Sequence, residues 1–197
     1  MNRNTHKTED ILRHAAMLLP GVVLITSALF GPGSINPYQY LTQWFGRTAV
    51  ILALISLSCT PLFRLTKSRL FPRLRRTAGL YTFGYAGAHF FVYAVLDYGL
   101  NISLLLSNIT RQPFIILGSI ALLGLTVLAV TSNKNVMRKF GRKWKPLHRS
   151  FYVIAVVIIT HYYLATKGDK LIAILAGVVL AVLLIARPVL ARVKQNR

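Results

Sequence analysis

Six stretches of this sequence are apolar for long enough to cross about 30 Å of hydrocarbon, at residues 14–31, 47–64, 77–97, 113–131, 149–166 and 170–187. In lipid each backbone N–H and C=O must find its partner inside the protein, and a helix supplies that within one segment. Six spans consume most of a 197-residue chain that is 54% hydrophobic and 14% charged, which excludes an ordinary soluble domain. The expectation is an all-α membrane protein, a six-helix transmembrane bundle occupying residues 1–197 as one domain.

Lysine and arginine set the orientation. They gather in alternate connections: Arg3, Lys7 and Arg13 in the N-terminal tail; Arg64, Lys67, Arg69, Arg73, Arg75 and Arg76 between the second and third spans; Lys134, Arg138, Lys139, Arg142, Lys143, Lys145 and Arg149 between the fourth and fifth; and Arg187, Arg192, Lys194 and Arg197 at the C-terminal end. Only Arg47, Arg111, Lys167 and Lys170 fall on the other side. The positive-inside rule then predicts both termini in the cytoplasm. The formal charge of +20 is explained by topology and by anionic lipid headgroups, not by nucleic acid. The first span follows basic residues as a signal peptide would, but Phe30-Gly31-Pro32-Gly33 reads as a turn with no cleavage site, so the helix is expected to be retained. Cys59 is the single cysteine and lies inside a span, so neither a disulfide nor a cysteine zinc site can be built.

The connections are short, and no inverted internal repeat is legible. Pro20-Gly21 is placed to kink the first helix, Pro61 sits near the inner end of the second, and Pro113 suits the first turn of the fourth. In "AGLYTFGYAGAHFF" the residues Gly79, Gly84 and Gly87, with Ala78, Ala86 and Ala88, give the third helix a small face. Two readings stay open: close packing against a neighbour, or room for a flat cofactor beside a histidine.

The five histidines are not equivalent. His6 lies in the polar tail and His14 at the start of the first span, where headgroups meet it. His89 and His161 lie deep in apolar helices, where an ionisable side chain is costly and needs a partner. His89 follows Arg76 by thirteen residues and His161 follows Arg149 by twelve, which puts both about 18–20 Å from the basic surface. Two imidazoles at one depth suit a metalloporphyrin whose iron takes one nitrogen from each side; the alternative is that each is hydrogen-bonded to a neighbouring helix. His148 stands at the inner edge of the fifth span, about 20 Å from His161 and on a different face of a straight helix. It ligates a second metalloporphyrin, orients a quinone or flavin, or caps the interface.

The ordered pieces "GRTA" at 46–49, "TPL" at 60–62, "RRTAGLY" at 75–81, "AHF" at 88–90, "RQPFIILG" at 111–118, "TSN" at 131–133, "FGRKWKPLHRSFY" at 140–152 and "HYY" at 161–163 cover nearly the whole chain. They resemble the ferric-reductase-like transmembrane superfamily, and within it the heme-binding membrane subunits of bacterial methionine sulfoxide reductase systems. The resemblance implies a cytochrome of the bacterial inner membrane that takes electrons from the quinone pool or a cytosolic flavin reductase. It passes them to a periplasmic molybdopterin enzyme that repairs oxidised methionines, so substrate reduction belongs to the partner. His89, His148 and His161 match the family's heme b histidines: one heme on His89 and His161, a second at His148. FMN is also implied, with no residue assigned to it. Two-heme relatives carry a further histidine thirteen or fourteen positions before the counterpart of His89. Here those positions hold Arg76 and Arg75, which either pair with heme propionates or another anionic cofactor group, or simply mark the inner surface. Tyr85, Tyr93, Tyr162 and Tyr163 are candidate hydrogen-bond donors around the heme, with packing or interfacial roles as the alternative.

About ten residues follow the sixth span, so a fused flavin and nicotinamide domain is not expected, and the outer loops are short. Donor and acceptor must then both dock. Two other function classes compete with the electron carrier. A transporter would want carboxylates along its path, whereas Glu9, Asp10, Asp97 and Asp169 all lie in the tail or near outer ends. A membrane anchor without redox activity is the third reading.

Overall fold

The computed structural model describes residues 3–30 and 36–195, with side chains from 7–30, 36–109 and 111–189. The expected turn at Phe30-Gly33, the side chains of Arg3, His6, Arg192 and Lys194, and Arg197 lie outside the described residues. Among the described residues the regular structure is entirely helical.

Helix α1 runs Arg3–Phe30 and α2 Pro37–Thr66. The start of α2 is fixed by Asn36, whose side chain accepts from the Gln39 N–H at 3.0 Å, with Pro37 in the first turn. Lys67, at φ 58°, ends it in a left-handed cap. After a three-residue turn α3 runs back over Leu70–Phe91 and continues as a wider π turn through Val92–Asp97. Gly99 and Leu100, both at positive φ, then turn the chain into a short helix, α4, at Ile102–Arg111. Next come α5 at Pro113–Val130, α6 at Lys134–Phe140, a 3-10 turn, α7 at Trp144–Arg149, α8 at Phe151–Ala165 and α9 at Leu171–Gln195.

Helix α2 is the hub. One of its faces packs with α1 and α3 around Met17, Phe45, Ala49, Ala78, Tyr85 and Val92. The other packs with α5, α8 and α9 around Ala53, Leu57, Leu125, Ala155, Ile158 and Leu180. Small residues bring α2 and α3 together: Ala78 is fully buried, a Cβ on Gly79 would meet Ser56 Oγ at 3.5 Å, and that hydroxyl donates to the Arg75 carbonyl at 2.9 Å. Gly84 and Gly87 differ, because nothing lies within 4 Å of a Cβ built there. The close-packing reading therefore holds for Gly79, and open space lies beside the other two.

Five helical segments are long and apolar enough to cross a membrane: Lys7–Phe30, Pro37–Thr66, Pro113–Val130, Lys134–Ala165 and Leu171–Val189. The chain is a multi-pass membrane protein. The expected third span, 77–97, is helical but is not among the five. The helix that carries it, α3, opens with Arg73, Arg75 and Arg76 ahead of residue 77, and small and polar residues dilute the apolar ones before His89.

The first helix is joined to the bundle through its own break. Gly21 N–H donates to Tyr85 Oη at 2.8 Å, and that hydroxyl donates to the Met17 carbonyl at 2.8 Å. Tyr85 is thus inserted into the rung that Gly21 and Met17 would share, next to Pro20. Its hydroxyl serves α1 and not the histidines.

Candidate functional site

His89 and His161 meet. Their ring centres are 6.1 Å apart with planes at 83°, so the equal depths counted along the sequence correspond to adjacency in space. A carbonyl oxygen can only accept, so each ring's Nδ1 carries a proton: that of His89 donates to the Thr42 carbonyl at 2.6 Å, and that of His161 to the Phe114 carbonyl at 2.7 Å. Both Nε2 lone pairs are left available, which is the tautomer a metal ligand needs.

The two halves of this pair are built alike. The acceptor carbonyl is followed four residues later by a glycine against which the imidazole lies. A Cβ on Gly46 would meet His89 Nδ1 at 3.0 Å, and one on Gly118 would meet His161 Cε1 at 2.8 Å. Each member of the second set stands 72 residues after its counterpart: Phe114 after Thr42, Gly118 after Gly46, His161 after His89. The α2–α3 and α5–α8 pairs therefore support their histidines by the same arrangement at the same spacing. Beyond the glycines and histidines the halves share few residues, which hides the relation from the sequence.

The same offset carries Arg76 onto His148, and the structure brings these two to one cavity. About 580 Å³ in volume, it lies between α2, α3, α5 and α8 at the end where the basic residues gather. Arg75, Arg76, Lys145 and Arg149 line it with Trp144, His148 and Tyr152, and no carboxylate does. Arg76 Nη2 donates to the Ser132 carbonyl at 2.7 Å. The neighbouring Thr131 hydroxyl donates to the Val127 carbonyl at 2.7 Å, so it must accept from His148 Nε2 at 3.1 Å. His148 is thus the reverse tautomer of the deep pair, with Nδ1 as its open nitrogen. Trp144 stacks on it at 4.1 Å and donates its Nε1 proton to the Thr131 carbonyl. A straight helix carrying both His148 and His161 is not formed, because Ser150 separates α7 from α8.

The remaining candidates are placed as follows. His14 Nδ1 lies 3.1 Å from Tyr81 Oη, in a second cavity with Arg13, Arg73 and Lys134. Tyr163 is exposed under the Lys170 ammonium. Tyr93, one turn beyond His89, has a buried hydroxyl without a hydrogen-bond partner, as does Thr42 beside it in the His89 support. In the basic cavity Thr60 Oγ1 is in the same condition. Buried polar atoms are normally satisfied, so both regions hold donors that a bound group would complete.

These features fit a bis-histidine porphyrin. A metal held about 2 Å from each of two imidazole nitrogens separates the ring centres by about 6 Å, and the observed 6.1 Å meets that. Among the described residues no group of three or more His, Cys, Asp and Glu side chains is placed to hold a metal ion. Sequence reasoning missed the carbonyl supports and the glycine cradles; the one signal was a glycine 43 residues before each deep histidine.

Residues 45–159 match the family described as ferric reductase like transmembrane component. The protein-methionine-sulfoxide reductase heme-binding subunit MsrQ of Bordetella pertussis is 39% identical over 153 residues, covering 77% of this chain and 74% of its own. The MsrQ of Cronobacter sakazakii is 39% identical over 155 residues, 78% of each chain. That of Pectobacterium atrosepticum is 37% identical over 178 residues, 90% of this chain and 89% of its own.

Proposed function

This chain belongs to the ferric reductase like transmembrane family and to its MsrQ group, and from that premise we propose that it is a heme-binding membrane electron carrier serving a methionine sulfoxide reductase. The observation that carries the reading is the His89–His161 pair, level in the bundle, 6.1 Å between ring centres, with both Nδ1 protons held by backbone carbonyls.

His89 and His161 would hold one heme b through their open Nε2 atoms. The Thr42 and Phe114 carbonyls fix the tautomer and aim of each ring, and Gly46 and Gly118 let the rings lie flat on the facing helices. The Thr42 and Tyr93 hydroxyls supply donors. Heme iron, when bound, supplies one-electron redox chemistry. The surrounding apolar side chains exclude water and so help set its potential.

The basic cavity is the entry side. His148, Arg75 and Arg76 suit a second heme, or the anionic part of FMN, because guanidinium forks pair with carboxylates and phosphates. The basic end faces the cytoplasm, with both termini there and six spans across the bacterial inner membrane in one domain over 1–197. Electrons enter from a quinone or a cytosolic flavin reductase and leave at the opposite side to MsrP, the periplasmic molybdopterin subunit, which reduces methionine sulfoxide in oxidised proteins.

The test is a dithionite-reduced minus oxidised spectrum of the purified protein with a pyridine hemochrome count, on wild type, His89→Ala and His148→Ala. Wild type should show b-type heme, His89→Ala should lose the deep equivalent, and His148→Ala should keep it. A folded wild type that shows no Soret band when supplied with heme would end the cytochrome reading.

A further inference from the structure

Among the described residues Arg187 is the one charged side chain that is buried, at 9% exposure, and it lies inside the apolar segment Leu171–Val189. An arginine there is costly unless its charge and its donors are met. Part of its role is visible. Nη2 donates to the Leu57 carbonyl at 2.6 Å, the acceptor that Pro61, four residues on, cannot serve because it has no N–H. Its Cζ sits 4.2 Å over the ring of Tyr152.

The rest is unmet. Nε and Nη1 are buried with no hydrogen-bond partner. Of the chain's four acids, Glu9 and Asp10 pair with Arg73 and Arg13. Asp97 closes the far end of α3, and Asp169 precedes α9 by two residues, about 25 Å along the helix from Arg187. Arg64 adds to the charge, since its Nη1 donates to the Arg187 carbonyl at 2.5 Å. Tyr152, the residue against which Arg187 stacks, also lines the basic cavity with Arg75, Arg76, Lys145 and Arg149.

We propose that Arg187 is a positioning residue of this cavity: held between the Leu57 carbonyl and Tyr152, its unneutralised charge makes the cavity select ligands that carry carboxylate or phosphate groups. Because the Arg187 guanidinium is itself buried, its charge is less screened by water than those of the lining residues at the cavity mouth. The inference rests on the reading that the cavity takes an anionic cofactor, and it adds a buried group that strengthens the preference set by the lining cations.

The experiment is a Soret-monitored titration of the full-length protein, prepared heme-free in lipid nanodiscs, with hemin and separately with hemin dimethyl ester, which lacks the propionate charges. Wild type should take a second equivalent of hemin at least about tenfold more tightly than of the ester. Arg187→Lys should keep most of that preference, and Arg187→Gln should cut it by about threefold or more while still binding the ester as wild type does, the remainder being due to Arg75, Arg76, Lys145 and Arg149. An Arg187→Gln protein that retains the full preference overturns the proposal. So does one that loses both ligands together with thermal stability, because Arg187 would then be only a prop for the Leu57 carbonyl. Wild type that takes a single equivalent of either ligand also overturns it. Wild type that takes none sinks the cytochrome reading itself, a separate and recognisable failure.

Discussion

The imidazole of His161 rests on Gly118 so closely that a methyl group there would stand 2.8 Å from Cε1 and 3.0 Å from Nδ1. The ring cannot withdraw without breaking its bond to the Phe114 carbonyl one turn away. Gly118→Ala should therefore turn the ligand out of position, at about 1–3 kcal/mol of overpacking, and lower heme occupancy with a broadened low-spin EPR signal. Gly46→Ala, at 3.0 Å from His89 Nδ1, should act in the same direction. Gly177→Ala is the control: a Cβ there meets only Ile159 Cγ2, at an ordinary 3.6 Å. Normal occupancy in Gly118→Ala would refute the cradle.

Tyr85 ties α1 to the rest of the protein through one hydroxyl that serves both Gly21 N–H and the Met17 carbonyl. Tyr85→Phe leaves a buried donor and acceptor without partners, a cost of about 1–3 kcal/mol. The expected result is a lower melting temperature and easier proteolysis of α1, with an unchanged heme spectrum. A spectral change without loss of stability would return Tyr85 to the heme surroundings.

What could be read from the sequence follows from which interactions involve side chains. Apolar length marked the helices, and counting from Arg76 and Arg149 placed His89 and His161 level, because rise per residue is a property of any helix. Their supports are the carbonyls of Thr42 and Phe114, and every residue has a carbonyl. Gly46 and Gly118 stood only within "GRTA" and "RQPFIILG", and nothing in those pieces marks a glycine as the seat of an imidazole. Arg187 was counted among the inner surface charges, yet it folds inward to the carbonyl left free by Pro61. The straight helix used to compare His148 with His161 is interrupted at Ser150, which a serine does not announce.

Topology is open to direct test. With twenty of the twenty-four lysines and arginines in alternate connections, cysteines placed at positions 3 and 194 should be labelled only from the cytoplasmic side. Cysteines at 40 and 105 should be labelled from the periplasmic side, in a Cys59→Ser background. The decisive position is 105, because it follows α3, whose composition alone does not carry it across. Labelling of 105 from the cytoplasm would remove the third span and with it the parallel alignment of His89 and His161.

The reversed tautomer of His148 separates its role from that of the deep pair. Thr131 spends its only hydroxyl proton on the Val127 carbonyl, so it holds the Nε2 proton of His148 as an acceptor and leaves Nδ1 facing any ligand. Thr131→Val removes that acceptor with almost no change of shape, and a buried N–H without a partner costs about 1–3 kcal/mol. The imidazole is then free to turn, and the second heme equivalent should bind more weakly by about tenfold or more, or shift in potential. The His89–His161 heme should keep its spectrum, since its supports come from Thr42 and Phe114. Thr131→Ser keeps the hydroxyl and should restore the second equivalent. If Thr131→Val leaves both equivalents and both potentials unchanged, the Thr131 bond does not orient His148 and the inner site is held by other groups.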